Sequence, residues 1–222
     1  MKITFPLILL FPALVFAHDV QLDNQGGHFD SKDKTYHCHK EPCFSIHKQA
    51  EEAYQQAEPR SFTNVYNRND WPHWIDDDGD CQNTRQEILI ATSKEPVKFK
   101  DSRRCTVTQG QWYGVYTGEI YTNASAVDID HVVPLAHAHR HGADSWTASQ
   151  RRTFANDFDN LLVVDDATNQ AKSDKAPHEW LPPQKDYWCE YGKRWEKIKD
   201  KYGLSYGGKE IVALSLLADT CG

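Results

Sequence analysis

Apolar residues recur along the chain at two spacings, and each spacing predicts one kind of element. Composition and helical spacing predict helices over 84–92, 135–141, 167–172, 186–201 and 209–218. Short runs of β-branched and aromatic residues predict strands over 97–99, 105–107, 128–133 and 160–164. In the last helix, Ile211, Leu214 and Leu217 are expected to face inward. Helices mixed with short strands indicate the α+β class.

The strand over 128–133 ends abruptly. Pro134 cannot extend a β-ladder because it lacks an N–H, and it suits the first position of a helix. The helix that follows is expected to close at Gly142. The strand over 160–164 is apolar throughout, so it is expected to be buried on both faces.

The N-terminus has the features of a secretion signal. Lys2 supplies a positive start, an apolar run follows over 3–16, and residues 15–17 (Val-Phe-Ala) match a small-residue cleavage site. The run is shorter than the roughly 20 residues that cross a bilayer. No later stretch is apolar enough, so no membrane insertion is expected after cleavage. Removal of residues 1–17 would leave 222 − 17 = 205 residues.

The rest of the chain divides into two predicted regions. Residues 18–70 form a polar N-terminal extension that contains histidines and cysteines, with a short helix predicted over 46–57. Residues 71–222 form the main domain, with its catalytic core at about 126–183. A chain of this length suits one core with such an extension.

The cysteines number six, and an even number in an exported chain predicts three disulfides. Sequence alone permits 15 connectivities. Nearest-neighbour pairing predicts the bonds Cys38–Cys43, Cys81–Cys105 and Cys189–Cys221. This pairing leaves no thiol to act as a nucleophile, and it indicates an oxidising location, either secreted or periplasmic.

Net charge argues at first against a nucleic-acid partner. The chain has 25 basic and 32 acidic residues, a formal charge of −7, whereas nucleic-acid binders usually carry a basic surface. Two segments, 94–104 and 193–201, each have five basic and two acidic residues. Each segment is either a phosphate-binding surface or a solvated face of a helix or strand.

The strongest chemical signal is Asp130-His131, followed by Asn160, Asn169 and Lys172. Hydrolysis of a phosphodiester needs a base for the attacking water, neutralisation of charge on phosphorus and stabilisation of the leaving oxygen. His131 is the expected general base because histidine titrates near neutral pH. Asp130 is a hard oxygen ligand for Mg²⁺ or a similar cation, and Asn169 adds a neutral oxygen.

The positions of these residues restrict the geometry of the site. Adjacent strand residues point to opposite faces, so Asp130 and His131 can share a site only at a strand end or a bulge. Asn160, at the head of the second strand, is expected to orient the imidazole of His131. Lys172 lies one helical turn after Asn169, so both are expected to face one phosphate.

These residues belong to a longer pattern in the chain. The pattern consists of Asp128-Ile129-Asp130-His131-Val132-Val133-Pro134-Leu135, Asp159-Asn160-Leu161 and Glu179-Trp180-Leu181-Pro182-Pro183. It resembles the HNH endonuclease family, the ββα-metal nucleases, of the exported bacterial type, and the similarity begins near Trp71. The resemblance implies an HNH core of two strands, a helix and one divalent metal, here with additional helices, short strands and disulfides.

The resemblance also implies a role for each matching residue. Asp130 and Asn169 would ligate the metal, His131 would be the general base, and Asn160 would orient the imidazole. Lys172 would contact phosphate. Many members have histidine where Asn169 stands, so Mg²⁺ or Mn²⁺ is favoured over zinc. The implied protein is a monomeric, exported, metal-dependent endonuclease of low sequence specificity that cuts DNA in preference to RNA.

An acidic segment also matches a metal-binding pattern. Five side chains stand at positions 1, 3, 5, 7 and 12 of a calcium-binding loop: Asp76, Asp78, Asp80, Gln82 and Glu87. Cys81 occupies the position that normally requires glycine. A structural Ca²⁺ site is one interpretation, and an acidic turn that caps the helix from Thr84 is the other.

Histidines offer a further alternative. His137, His139 and His141 alternate, and on a helix the first and last share a face that suits a metal. A solvated or capping role is the other interpretation. Arg152 is either a phosphate contact or part of a salt bridge with Asp157. The rival function is a non-catalytic metal-binding protein of the cell envelope, with 11 histidines. An HNH toxin effector is a third possibility.

Overall fold

The computed structural model describes residues 22, 26–30, 35–45, 48 and 64–221. The predicted signal peptide over 1–17 and the helix predicted over 46–57 lie outside the described residues, apart from residue 48. The described part of the extension contains a hairpin of β1 (Gly27–Asp30) and β2 (Thr35–Cys38), which pair antiparallel. The disulfide Cys38–Cys43 follows directly after it.

A three-stranded antiparallel sheet comes next, and one helix packs against it. Helix α1 (Thr84–Thr92) has the predicted bounds, and the side chain of Asn83 caps its first turn. The sheet contains β3 (Lys98–Phe99), β4 (Val107–Gly114) and β5 (Glu119–Asn123). The side chains of Ile88 and Leu89 are buried in a core with Val107 and Trp112, as an inward-facing helix stripe requires.

The two central strands form the second layer. Strands β6 (Val127–His131) and β7 (Leu161–Asp165) pair antiparallel, with His131 opposite Leu161. Every residue of β7 is buried, as predicted. In the chain, α2 (Leu135–Arg140) and α3 (Ala148–Ala155) connect these two strands, and α4 (Asp166–Lys172) follows β7 directly. Pro134 is the N-cap of α2 rather than its first helical residue.

Two C-terminal helices complete the large core. Helix α5 (Trp188–Tyr202) packs on α6 (Gly208–Ala218). A Cβ atom at Gly192 would lie 2.9 Å from the Cβ of Leu217, so glycine permits the close approach of these helices. The prediction for Ile211 is wrong: its side chain is 44% exposed, and Val212 is buried beside Leu214 and Leu217 instead.

The disulfides and the fold class agree with the sequence predictions. All three predicted bonds are present: Cys38–Cys43, Cys81–Cys105 and Cys189–Cys221. The last bond ties α5 to the end of α6. The fold is α+β. Among the described residues, no helix is both long enough and apolar enough to span a membrane.

Candidate active site

The site is a unit of two strands and one helix. Strand β6 ends at His131, β7 returns beside it, and α4 starts immediately after β7. The turn after His131 is fixed from β7, because the backbone N–H of Val132 donates to the carbonyl of Asn160 (2.8 Å). The site residues therefore project from rigid elements of one small substructure.

His131 lies at the end of β6 with its ring held from two sides. Its Nε2 lies 2.8 Å from the carbonyl oxygen of Ala155. A carbonyl can only accept, so Nε2 carries the hydrogen and Nδ1 presents a lone pair in the neutral ring. The indole of Trp74 stacks on the imidazole at 5.7 Å between ring centroids. Burial is the main reason that the pKa of His131 falls to about 3, so the ring is neutral at physiological pH.

Asp130 projects into a different environment from His131. One carboxylate oxygen accepts from the Nζ of Lys172 (2.9 Å), and the other accepts from the hydroxyl of Tyr116 (2.6 Å). All three side chains are buried. Burial raises the pKa of Asp130 above its ordinary value, and Lys172 and Tyr116 only partly oppose this effect. Burial also lowers the pKa of Lys172.

Asp128 shares the strand face of Asp130, two residues away, and it was not assigned a role from the sequence. Its carboxylate accepts from Nδ2 of Asn169 (3.2 Å), so strand β6 and helix α4 meet at this contact. Both side chains are partly exposed. The alternation of strand faces was the signal that could have identified Asp128, because it puts Asp128 and Asp130 on one side.

Two predicted contacts differ in the structure. The carboxamide of Asn160 does not orient the imidazole: its Oδ1 accepts from the N–H of Val133 and its Nδ2 donates to the carbonyl of Val133. A carboxamide matches both groups of one residue, so Asn160 fixes the turn, and the carbonyl of Ala155 orients His131 instead. Lys172 is fully buried and also donates to the carbonyl of His131 (2.8 Å), so it supports the site from beneath and does not face solvent.

The acidic segment forms a tight turn. Carboxylate oxygens of Asp76, Asp78 and Asp80 lie within 4.8 Å of one another, and each of these residues accepts a backbone N–H of the turn. Cys81 has φ 74°, so it adopts the left-handed conformation that a calcium loop requires at this position. Burial and then the neighbouring aspartates raise the pKa of Glu87. The predicted Ca²⁺ site stays a prediction.

The three alternating histidines differ in exposure, and His141 is partly exposed and is the C-cap residue of α2. His137 and His139 are buried, and the rings of His137 and His141 stack with centroids 4.1 Å apart, as the i,i+4 spacing predicts. His137 and His141 approach Glu210 closely enough to share a metal. The ammonium group of Lys199 already lies between them, 2.5 Å from Oε1 of Glu210 and 3.2 Å from Nε2 of His137. The protein thus supplies its own cation at this cluster.

Several surface cations are also neutralised by carboxylates. Arg152 forms a salt bridge with Asp77, so the predicted partner Asp157 is wrong, and Asp157 pairs with Lys201 instead. Asp157 and Asp159 pair with lysines of the basic segment 193–201, which leaves this segment less positive than its sequence indicates.

Comparisons with known proteins identify a nuclease family model and a secreted relative. Residues 83–209 match the family model of the GmrSD restriction endonucleases, C-terminal domain. An uncharacterized secreted protein of the fungus Arthroderma benhamiae is 44% identical over 165 residues, which cover 73% of this chain and 79% of that protein. No solved structure matches the chain.

Proposed function

The chain belongs to the family of the GmrSD restriction endonuclease C-terminal domain, and from that premise we propose that it is an exported, metal-dependent endonuclease. It hydrolyses phosphodiester bonds of nucleic acid, DNA in preference to RNA, with low sequence specificity. Export agrees with three disulfides, which persist in oxidising compartments. The described domain has no added DNA-reading module, which favours low specificity.

The observation that carries the proposal is the state of His131. Its ring is neutral, its Nε2–H is committed to the carbonyl of Ala155, and Nδ1 has no hydrogen-bond partner within residues 64–221. Such a nitrogen can accept a proton from water as that water attacks phosphorus. The stack with Trp74 and the rigid end of β6 hold the ring in one orientation, which a general base requires.

The donor set nearby fits one divalent cation. Asp128, Asp130 and Asn169 offer hard oxygen atoms from β6 and α4, and these are ligands that Mg²⁺ and Mn²⁺ prefer. The raised pKa of Asp130 indicates a carboxylate whose charge Lys172 does not fully compensate. A bound cation would stabilise negative charge on the phosphate and on the leaving oxygen. Asp130 and Asn169 would hold it, and we add Asp128 to this set.

The remaining residues of the site position the proposed catalytic and metal-binding groups. Lys172 and Tyr116 fix the carboxylate of Asp130, and Asn160 fixes the turn that follows His131. Hydrogen bonds that orient a ligand typically contribute 10–100-fold to metal affinity or activity. These residues are therefore positioning residues in the proposed mechanism, and the water, the base and the phosphate would meet at the end of β6, beside the partly exposed Asp128 and Asn169.

Cleavage of supercoiled plasmid by the purified, oxidised protein tests this function. Nicking and linearisation should require Mg²⁺ or Mn²⁺ and stop with EDTA. The variant His131→Ala should lose about 10²–10⁴-fold in rate, whereas His39→Ala, a change at an exposed histidine of the hairpin region, should cleave at the wild-type rate. Metal binding without cleavage of DNA or of an RNA control would instead favour the metal-binding envelope protein.

A further inference from the structure

One segment that touches His131 lies outside the residues that match the family model. Residues 68–75, here called the strap, precede the matched region, which begins at residue 83. The strap starts as a short 3-10 turn over Arg68–Asp70 and runs across the end of β6. The following inference rests on the proposed nuclease function.

Helix α3 holds the strap and the general base on one support. The guanidinium of Arg151 donates to the carbonyl of Asp70 (2.9 Å). The carboxamide of Asn156 donates to the carbonyl of Pro72 (2.7 Å) and accepts from the N–H of Ile75 (3.4 Å). Ala155, the residue before Asn156, bonds to His131. Helix α3 therefore fixes the position of the strap relative to the general base.

The strap turns aromatic side chains towards the base. Trp74 stacks on His131 at an interplanar angle of 29°, and the ring of His73 meets the indole edge at 5.6 Å. Trp74 has φ 55°, a left-handed conformation that side-chain-bearing residues rarely adopt. Such conformations persist where surrounding structure imposes them, and they concentrate at functional sites. Trp71 anchors the strap because its buried ring packs on Phe154.

The strap also carries a positive group, the guanidinium of Arg68, that no carboxylate of residues 64–221 neutralises. Its side chain is exposed. The Nδ1 of His73 lies 2.7 Å from the carbonyl of Trp71, so Nδ1 donates and Nε2 lies on the opposite edge. Burial mainly sets the low pKa of His131, and Arg68 and His73 are close enough to lower it further.

We propose that the strap is a phosphate-binding wall of the active site, in which Arg68 binds the nucleic-acid phosphate beside His131 and Trp74 positions the His131 ring. The ligand class is a phosphodiester of the nucleic-acid backbone. The chain is acidic overall, with a formal charge of −7. Lys197 and Lys201 of the 193–201 segment are paired with carboxylates, so a polyanion needs cations placed at the site itself.

Binding of a fluorescently labelled DNA oligonucleotide to the His131→Ala protein, with Mg²⁺ present, tests the wall without cleavage. Arg68→Ala, added to this protein, should weaken binding about tenfold. In the Arg68→Ala protein, the slope of log affinity against log salt should fall by about one, as expected for the loss of one phosphate contact. Arg68→Lys should restore part of the affinity. Lys209→Ala, a change at an exposed lysine of α6 outside both basic segments, should leave affinity unchanged.

The positioning role of Trp74 has its own readout. In the otherwise unchanged protein, Trp74→Ala should lower kcat for plasmid cleavage and leave KM near its original value, because the ring orients the base and contacts no phosphate. Trp74→Phe should restore most of kcat. A change in KM alone would overturn this role.

The outcomes separate the strap from the nuclease function. Unchanged affinity in the folded Arg68→Ala protein overturns the wall, even if the enzyme cleaves DNA. Absence of oligonucleotide binding by the His131→Ala protein also overturns it. Absence of cleavage by the wild-type protein overturns the proposed function, and the affinity comparison still decides the wall. Circular dichroism spectra confirm that each variant is folded.

Discussion

Two buried carboxylate–lysine pairs occur in this protein, and their surroundings differ. Asp130 pairs with Lys172 at the candidate active site, and Glu210 pairs with Lys199 between α5 and α6. Both lysine side chains are 0% exposed. In each pair an aromatic group donates a second hydrogen bond to the carboxylate, from Tyr116 or from the indole of Trp195.

The neighbouring histidine makes the difference. The Nε2 of His137 lies 3.4 Å from Glu210 and joins the pair. Burial raises the pKa of Glu210, but His137 and Lys199 together bring it well below its ordinary range. At the other pair His131 bonds to the carbonyl of Ala155 instead, and the pKa of Asp130 stays raised. The carboxylate of Glu210 is saturated with hydrogen-bond donors, whereas the carboxylate of Asp130 can still be stabilised by a cation.

The comparison shows how similar groups serve different purposes. A saturated pair enclosed by two helices holds those helices together and offers nothing to a ligand. An under-compensated pair beside the half-exposed Asp128 is a site where a metal can bind. The distinction depends on where one imidazole ring points, and it can be tested in three ways.

Removal of each lysine should give the largest effect. Lys199→Met leaves a buried carboxylate without its cation and should cost about 3–5 kcal/mol of unfolding free energy, with or without divalent metal. Lys172→Met should cost a similar amount in EDTA and less in Mg²⁺, because a ligand that binds the native state stabilises it. Urea unfolding in both buffers measures this. An identical Mg²⁺ response of the two variants would remove the distinction.

Neutralisation of each carboxylate should separate activity from stability. Asp130→Asn should lower kcat for plasmid cleavage on the order of 10²-fold, because Asp130 is a proposed ligand of the cation that would compensate the phosphate charge. Glu210→Gln should lower the unfolding free energy and leave kcat of the folded protein unchanged. Cleavage kinetics at a temperature where both variants remain folded provide the measurement. Equal losses of kcat would argue that both pairs have the same role.

Acid should weaken the saturated cluster by a smaller amount. Burial, with the nearby His137 and Lys199, lowers the pKa of His141 to about 3. The unfolded chain takes up a proton near pH 6.5 while the native ring stays neutral, so stability falls as pH drops from about 7 towards 3. Between pH 7 and pH 5 His141 should account for about 1 kcal/mol after solvent screening. His141→Gln should reduce this slope, and His39→Gln should not.

Local sequence signals predicted much of the fold. The helix over 84–92 and the strand over 160–164 were identifiable because a cap, apolar spacing and β-branched residues agree there. Strand β5 was missed because its apolar Ile120 is 55% exposed and the segment shows no inward-facing stripe. The strand predicted over 105–107 shares only Val107 with β4, which continues to Gly114 through aromatic and glycine residues.

The candidate site was predicted as a set of residues but not as a set of contacts. The motif brought Asp130, His131 and Asn169 to one substructure, as their order indicates. The sequence could not reveal that Lys172 turns beneath Asp130. It could not reveal the second donor to that carboxylate either, because Tyr116 comes from outside the motif. Nor could it reveal Trp74, whose contact with His131 depends on tertiary packing across 57 positions (131 − 74 = 57).

The three disulfides join cysteines that are consecutive in the chain, with sequence separations of 5, 24 and 32 residues. No loop encloses or crosses another. During translocation each cysteine therefore meets its correct partner before the next pair has emerged, and the order of emergence selects one connectivity out of 15. We expect the exported chain to acquire its bonds as it leaves the membrane, with little dependence on disulfide isomerases.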